Sequence, residues 1–227
     1  MPNAVSRVPS GGYLIADSTL LPVGDGGDVV VPLLEAGVVL VKYRCKRERG
    51  GDVGGSDDEA RRRQAVSLRD VCRRFGVPLI VNDDIGLAAG LEADGVHLGD
   101  GDGSVAAARR QLGDGAIIGV SCYVSAARAR DDGADYVAFG SVFASPTKPR
   151  AARISLDTLR DNTRRCKLPV CAIGGIGPDT ARAVWECGVQ LIASASGVLA
   201  AADPRAAVAA CLAARPINQA AVKSQAR

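Results

Sequence analysis

Eight apolar runs recur along the chain, and amphipathic segments separate them. The runs are continuously apolar rather than alternating, which is typical of parallel strands covered on both faces. They predict strands over 13–17, 38–43, 78–82, 94–98, 116–121, 135–139, 169–173 and 189–195. The other segments predict helices over 27–36, 57–75, 85–91, 104–112, 124–132, 155–166, 178–187 and 203–214.

Strand and helix units that alternate in this way predict an α/β fold, the (β/α)8 or TIM barrel. A doubly wound sheet is the alternative, but it needs fewer strands and a glycine-rich first turn, and the sequence offers neither. We therefore expect the 227 residues to form one domain, 1–227, whose core covers about 13–214. The N-terminal arm and the C-terminal tail are expected to be flexible.

Composition limits the possible partners. Lysine and arginine exceed aspartate and glutamate by 28 − 25 = 3, a balance too mild to predict nucleic-acid or membrane binding. No apolar run is long enough to span a bilayer, and the seven cysteines form no C-x-x-C pair. We expect a cytoplasmic protein with reduced core cysteines and small-molecule substrates. The oligomeric state stays open, with a homo-oligomer as one option.

Polar and glycine-rich residues follow most of the predicted strands. Barrel enzymes react at the carboxyl ends of their strands, so we expect these residues to share one mouth. They are Lys42, Arg44 and Lys46 after the second strand, Asn82 and Asp83 after the third, Asp100 and Asp102 after the fourth, Ser121 after the fifth, Ser145, Thr147 and Lys148 after the sixth, Gly174 and Gly175 after the seventh, and Ser196 and Gly197 after the eighth.

Two of these carboxylates suggest a metal site. Asp83 and Asp102 lie on adjacent loops, where they can hold one hard cation. Mg²⁺ keeps several waters and takes one or two carboxylates together with substrate phosphates. Helix caps and turns are the competing interpretation, because aspartate favours both.

Cations and glycines at the same mouth suggest anion binding. Arg44, Lys46 and Lys148 bring positive charge that suits a diphosphate, although a basic run is also typical of a solvated loop. The glycine pairs after the seventh and eighth strands match the recurrent phosphate site of barrels, although each pair alone also fits a tight turn. His97, the only histidine, is interpreted as a structural barrel residue, without a Ser-His-Asp or Cys-His arrangement around it.

Seven segments, taken in order, resemble the thiamine-phosphate synthase (thiamine-phosphate pyrophosphorylase) family in its proteobacterial form. The resemblance runs from about residue 13 to residue 212, and its most specific part is the sixth-strand block. AIGGI alone is weak, because other phosphate-binding barrels share it. The segments are VKYRCKR, PLIVNDD, ADGVHLGDGD, IIGVSCY, GADYVAFGSVFASPTKP, AIGGI and ASGVLAAADP.

The resemblance implies a transferase of thiamine biosynthesis with Mg²⁺ as cofactor. It would join 4-amino-5-hydroxymethyl-2-methylpyrimidine diphosphate to a thiazole phosphate and release diphosphate. In this family the diphosphate leaves first, and the thiazole nitrogen captures the resulting pyrimidine carbocation. The nearest rival is a thiazole tautomerase-like isomerase, which would carry a histidine where this chain has Tyr123. A non-catalytic binder of thiamine phosphates is the other alternative.

The resemblance also implies site residues. Asp83 and Asp102 would bind Mg²⁺, and Arg44, Lys46, Ser121 and Lys148 would be catalytic. Four positions depart from the family: Lys42 where Gln is usual, Cys45 where Glu or Asn is usual, Ala195 where a larger aliphatic is usual, and Ala144 where Pro is common. The pyrimidine diphosphate would contact Lys42, Tyr43, Arg44, Cys45, Lys46, Asn82, Ser121 and Lys148, and the thiazole phosphate would contact Ser145, Pro146, Thr147, Gly175, Ala195 and Ser196.

Overall fold

Eight parallel strands close into a barrel in the computed structural model, and they follow one another around it in chain order. The structure describes residues 7–22, 26–45, 55–123, 133–145 and 151–216. The (β/α)8 barrel predicted from the sequence is thus confirmed. The strands are β1 Gly11–Asp17, β2 Val38–Arg44, β3 Leu79–Asn82, β4 Gly95–Leu98, β5 Ile117–Tyr123, β6 Tyr136–Phe139, β7 Val170–Ile173 and β8 Leu191–Ser194.

Helices pack around the barrel. The short helix Ser196–Leu199 after β8 is absent from the sequence prediction, because four residues are too few to show a helical period. The helix predicted over 124–132 lies outside the described residues. The described helices are α1 Gly27–Glu35, α2 Gly55–Phe75, α3 Ile85–Gly90, α4 Val105–Leu112, α5 Leu156–Arg165, α6 Pro178–Trp185, α7 Ser196–Leu199 and α8 Pro204–Ala213.

The strands are apolar on both faces because each face is buried. Successive side chains of a strand point to opposite sides. One set packs against the helices in the larger apolar cluster, and the other fills the barrel interior. The interior cluster contains Val8, Tyr13, Ile15, Leu40, Ile80, Ile117, Tyr136, Ala138, Cys171, Leu191 and Ala193.

Tyr136 fits inside the barrel because the neighbouring strand leaves space for it. It pairs in register with Gly119 of β5 and is fully buried. A Cβ atom at position 119 would lie 2.1 Å from Cζ of the Tyr136 ring, much closer than carbon atoms approach. The large ring and the missing side chain are therefore complementary parts of one packing arrangement.

The cysteines behave mostly as core residues. All seven are free, and five of them are buried. Burial raises the pKa of the Cys72, Cys122 and Cys171 thiols to about 12, so these thiols stay protonated and unreactive. Cys45 and Cys166 differ, since both are only half-buried. In the part of the chain that the structure describes, no helix is both long and apolar enough to cross a membrane.

Candidate active site

A cleft of about 1150 Å³ opens at the carboxyl ends of the strands, where barrel enzymes carry their sites. Four residues of the predicted site, Lys46, Pro146, Thr147 and Lys148, lie outside the described residues. Most of the others line the cleft, so the sequence argument about a shared mouth holds for them. They are Lys42, Arg44, Cys45, Asn82, Asp83, Asp102, Ser121, Ser145, Gly175, Ala195 and Ser196.

Tyr43 does not belong to the cleft. It lies between Lys42 and Arg44 on β2, so its side chain points to the opposite face of the strand. Its hydroxyl oxygen lies 3.1 Å from both the Arg61 carbonyl oxygen and Gln64 Oε1 on α2. The expected substrate contact of Tyr43 is therefore wrong for its side chain, because a run of neighbouring residues on a strand cannot all face one side.

Arg44 is held at the cleft by a carboxylate that the sequence analysis missed. Asp17, at the end of β1, pairs in register with Arg44 and forms an ion pair with its guanidinium. Asp17 is only 1% exposed, and its Oδ1 also accepts hydrogen bonds from the Thr19 amide (3.1 Å) and hydroxyl (2.7 Å). Both carboxylate oxygens are thus engaged, which fixes the arginine in place.

Two more cationic side chains, those of Lys42 and Arg61, line the cleft together with Arg44. Lys42 is buried on the same face of β2, with its Nζ 6.0 Å from the centroid of the Tyr13 ring. Arg61 of α2 lines the cleft and pairs with Asp84 at 3.1 Å. Its Nε is buried without a hydrogen-bond partner among the described residues. One side of the cleft therefore carries three cationic side chains, two of them paired with carboxylates.

The acidic residues of the cleft have different roles. Asp84 caps α3 by accepting a hydrogen bond from the Leu87 amide at 2.8 Å. Asp83 adopts the left-handed conformation (φ 68°) just before this cap and lines the cleft. Asp102 lines it too and accepts a hydrogen bond from the Gly99 amide at 2.8 Å. Asp84 therefore caps a helix and Asp102 also stabilises a turn, while all three aspartates line the cleft.

Asp83 and Asp102 both line the cleft, and both lie within electrostatic range of Tyr123. Burial raises the pKa of the Tyr123 phenol, and the charges of Asp102 and Asp83 raise it further. Two carboxylates that line one cleft are a donor set that suits Mg²⁺, which completes its coordination with waters and substrate phosphates. A protein cage of three or more histidine, cysteine or acidic ligands is not found in the described ranges. The donor set is thus suited to a metal shared with a ligand.

His97 also lies in the cleft, although the sequence analysis gave it only a structural role. Its Nε2 lies 3.0 Å from Ser121 Oγ, and its Nδ1 lies 2.9 Å from the Tyr136 hydroxyl oxygen. Its partner on the inner side is a tyrosine, so the expected absence of a Ser-His-Asp arrangement agrees with these contacts. His97 therefore joins the barrel interior to a serine at the mouth.

Backbone from three loops meets on the other side of the cleft. Gly175 has a left-handed conformation (φ 62°), and a Cβ atom there would lie 2.3 Å from the Ala144 carbonyl oxygen. A Cβ atom at Gly197 would lie 2.2 Å from the Ile176 carbonyl oxygen. Ala195 is the N-cap of α7, which begins at Ser196. The first amides of a helix lack intrahelical acceptors, so this corner suits an anion.

Arg61 and Tyr123 line the cleft, and Asp17 forms an ion pair with the cleft residue Arg44; none of the three was predicted as a site residue. Asp17 ends the first predicted strand, so the rule that polar residues at strand ends face the mouth points to it. Arg61 gave no comparable signal, because a basic run on a helix usually faces solvent. Tyr123 follows a register shift in β5, which a sequence pattern does not reveal.

Comparison with known proteins fits this site. A sequence profile of the thiamine monophosphate synthase family matches residues 12–198. The chain belongs to this family. Thiamine-phosphate synthase from Nitrosococcus oceani is 44% identical over 201 residues, covering 87% of this chain and 89% of the relative. The same enzyme from an Azoarcus species is 51% identical over 175 residues, covering 76% of this chain and 81% of the relative.

A solved structure of the thiamine monophosphate synthase family agrees with the barrel. Thiamine phosphate pyrophosphorylase from Pyrococcus furiosus superimposes with a TM-score of 0.75 at 32% identity. The superposition covers 90% of this chain and 94% of that chain. The resemblance drawn from the sequence segments is therefore confirmed, at the level of both family and fold.

Proposed function

We propose that the chain is a thiamine-phosphate synthase. It condenses 4-amino-5-hydroxymethyl-2-methylpyrimidine diphosphate with 4-methyl-5-(2-phosphooxyethyl)thiazole and releases thiamine phosphate and diphosphate. The observation that carries the proposal is a cleft with two different anion-binding sides, set in a barrel of this family. Two phosphorylated substrates need two such sides, and the reacting carbon and nitrogen then meet between them.

The cationic side suits the diphosphate. Arg44 supplies a planar fork for phosphate oxygens, with Lys42 buried beside it. Lys46 and Lys148 are assigned to the same side from their positions in the sequence. As the methylene carbon–oxygen bond breaks, its electron pair goes to the diphosphate, and preorganised cations stabilise the charge that develops there.

The glycine-rich side suits the single phosphate of the thiazole. Backbone amides around Gly175 and Ser196 hold it, and Ser145 lines the same part of the cleft. Held there, the thiazole nitrogen directs its lone pair at the carbocation and forms the new carbon–nitrogen bond. No proton is transferred in this step, so the site needs no general base.

The residues present fit Mg²⁺ as the cofactor. Asp83 and Asp102 would hold it at the diphosphate, since both carboxylates line the cleft. When bound, the metal neutralises charge on the leaving diphosphate. The side chains position both substrates, and the buried Asp17–Arg44 pair keeps the cationic side rigid.

Reconstitution tests the function directly. Purified protein is mixed with the pyrimidine diphosphate, the thiazole phosphate and Mg²⁺, and thiamine phosphate is measured by thiochrome fluorescence. We expect product only when both substrates are present. We also expect EDTA to abolish product formation and excess Mg²⁺ to restore it, whereas undiminished activity in EDTA would contradict the metal assignment.

The same experiment separates the rival functions. A folded protein that binds thiamine phosphate without forming it is the outcome for a non-catalytic binder. Isomerisation of a thiazole phosphate without condensation is the outcome for a tautomerase-like enzyme. The retention of Arg44, Asp83 and Asp102 in the cleft favours the synthase, because an isomerase of the thiazole has no use for a diphosphate side.

Gly175→Ala tests the thiazole phosphate side, with Gly76→Ala as a matched control. Both glycines have nearly the same positive φ angle, 62° and 64°. A Cβ atom at Gly76 meets nothing within 4 Å, whereas one at Gly175 meets the Ala144 carbonyl oxygen at 2.3 Å. Both variants lose about 1–2 kcal/mol of stability from the left-handed conformation alone.

The clash between a Cβ atom at position 175 and the Ala144 carbonyl oxygen adds an effect on substrate binding, which Gly76→Ala lacks. We expect Gly175→Ala to raise KM for the thiazole phosphate about tenfold, because the backbone must shift where the phosphate binds. Gly76→Ala should leave this KM unchanged. Urea denaturation and steady-state kinetics measure the two effects, and equal KM values in both variants would remove Gly175 from the proposed phosphate side.

A further inference from the structure

Four side chains form a hydrogen-bonded row from the barrel interior to the cleft. The Tyr13 and Tyr136 hydroxyl oxygens are 2.8 Å apart. The Tyr136 hydroxyl oxygen lies 2.9 Å from His97 Nδ1, and His97 Nε2 lies 3.0 Å from Ser121 Oγ. Tyr13, Tyr136 and His97 are each no more than 3% exposed, whereas Ser121 is half-buried at the cleft.

The two phenols stay protonated. Burial is the main cause that raises the pKa of both Tyr13 and Tyr136 well above the ordinary value. The interior cluster around them contains Ile15, Ile117 and Leu191, and the Lys42 Nζ lies 6.0 Å from the centroid of the Tyr13 ring. Each phenol therefore brings one proton to the row and must direct it at an acceptor.

Only one direction of hydrogen-bond donation along the row gives every proton an acceptor. If Tyr13 donates to Tyr136, then Tyr136 donates to His97 Nδ1, and the imidazole carries its own proton on Nε2 toward Ser121. In the opposite direction the Tyr13 proton would be buried without an acceptor among the described residues. A buried donor without a partner is disfavoured by about a factor of ten or more.

We propose that Tyr13, Tyr136 and His97 are positioning residues that make Ser121 a hydrogen-bond donor to the substrate. Since His97 Nε2 carries a proton, it cannot accept the hydroxyl proton of Ser121. The Ser–His pair therefore resembles that of an activated serine nucleophile, but its hydrogen bond runs in the opposite direction, from His97 Nε2 to Ser121 Oγ. The Ser121 proton is left for a lone pair of the bound substrate, such as a ring nitrogen or an anionic oxygen, and the identity of that substrate rests on the proposed function.

The first test determines which imidazole nitrogen of His97 carries the proton. His97 is the only histidine of the chain, so ¹⁵N-histidine labelling gives one imidazole in the long-range ¹H–¹⁵N spectrum. At neutral pH we expect the neutral tautomer with its proton on Nε2. A proton on Nδ1, or protons on both nitrogens, would overturn the proposal. The spectrum needs no turnover, so its result is independent of whether thiamine phosphate is formed.

The second test asks whether Tyr136 acts through Ser121. Tyr136→Phe keeps the ring that fills the space beside Gly119 and removes only the hydroxyl. We expect about a tenfold loss in kcat/KM from the wild type. In the Ser121→Ala background the same substitution should have no further effect, because the residue through which it acts is gone. Equal losses in both backgrounds would mean a merely structural role and would overturn the proposal.

Discussion

Asp83→Asn and Asp102→Asn are each expected to lower kcat/KM by about 10²–10³, the range for loss of one group that stabilises transition-state charge. Each substitution removes one of the two carboxylates proposed to hold Mg²⁺ in the cleft and keeps the side-chain size. A second signature is a higher Mg²⁺ concentration for half-maximal activity. Thiochrome assays over a Mg²⁺ titration measure both quantities.

Asp84→Asn is the matched control for this prediction. Asp84 is next in sequence to Asp83, but it caps α3 and pairs with Arg61. We expect at most a modest loss of stability, because asparagine also caps helices, and an unchanged Mg²⁺ requirement. If Asp84→Asn shifted the Mg²⁺ dependence and Asp83→Asn did not, the two assignments would have to be exchanged.

Arg44→Gln is expected to have the other large effect. It removes the cationic fork from the cleft, and we expect kcat/KM to fall by about 10² or more. It also leaves Asp17 as a buried carboxylate without its charge partner. Breaking a buried pair from one side costs about 3–5 kcal/mol, which urea denaturation detects as a lower midpoint.

The double variant Asp17→Asn, Arg44→Gln separates these two effects. It removes both charges at once, so we expect most of the lost stability to return while activity stays low. Asp17→Asn alone should lower kcat/KM by about tenfold, because Arg44 keeps its charge and loses its orienting partner. Recovery of activity in the double variant would show that Arg44 serves the fold and not the reaction.

Much of the fold could be predicted because it depends mainly on the local pattern of apolar residues along the chain. Continuous apolar runs, such as those ending at Asp17 and Asn82, predict parallel strands that are buried on both faces, as in a barrel. The rule that polar residues follow the strands then places Asp83, Asp102 and Ser121 at one mouth. Both arguments need only the order of residues along the chain.

The contacts within the site could not be predicted in the same way. Asp17 and Arg44 are 27 positions apart, and Tyr13 and Tyr136 are 123 positions apart. Such pairs depend on strand register and on small spaces inside the barrel, which one sequence does not display. The misassignment of Tyr43 has a simpler cause, since the alternation of side chains along β2 already placed it on the outer face.

The packing of Tyr136 against Gly119 has a consequence for how this barrel can vary. A side chain at 119 and a large ring at 136 exclude each other, so the two positions can change only together. A relative with alanine at 119 should carry a smaller residue at 136, and it would then lack the phenol that contacts His97. Covariation of these two interior positions among relatives would therefore mark which barrels retain the tyrosine–histidine row.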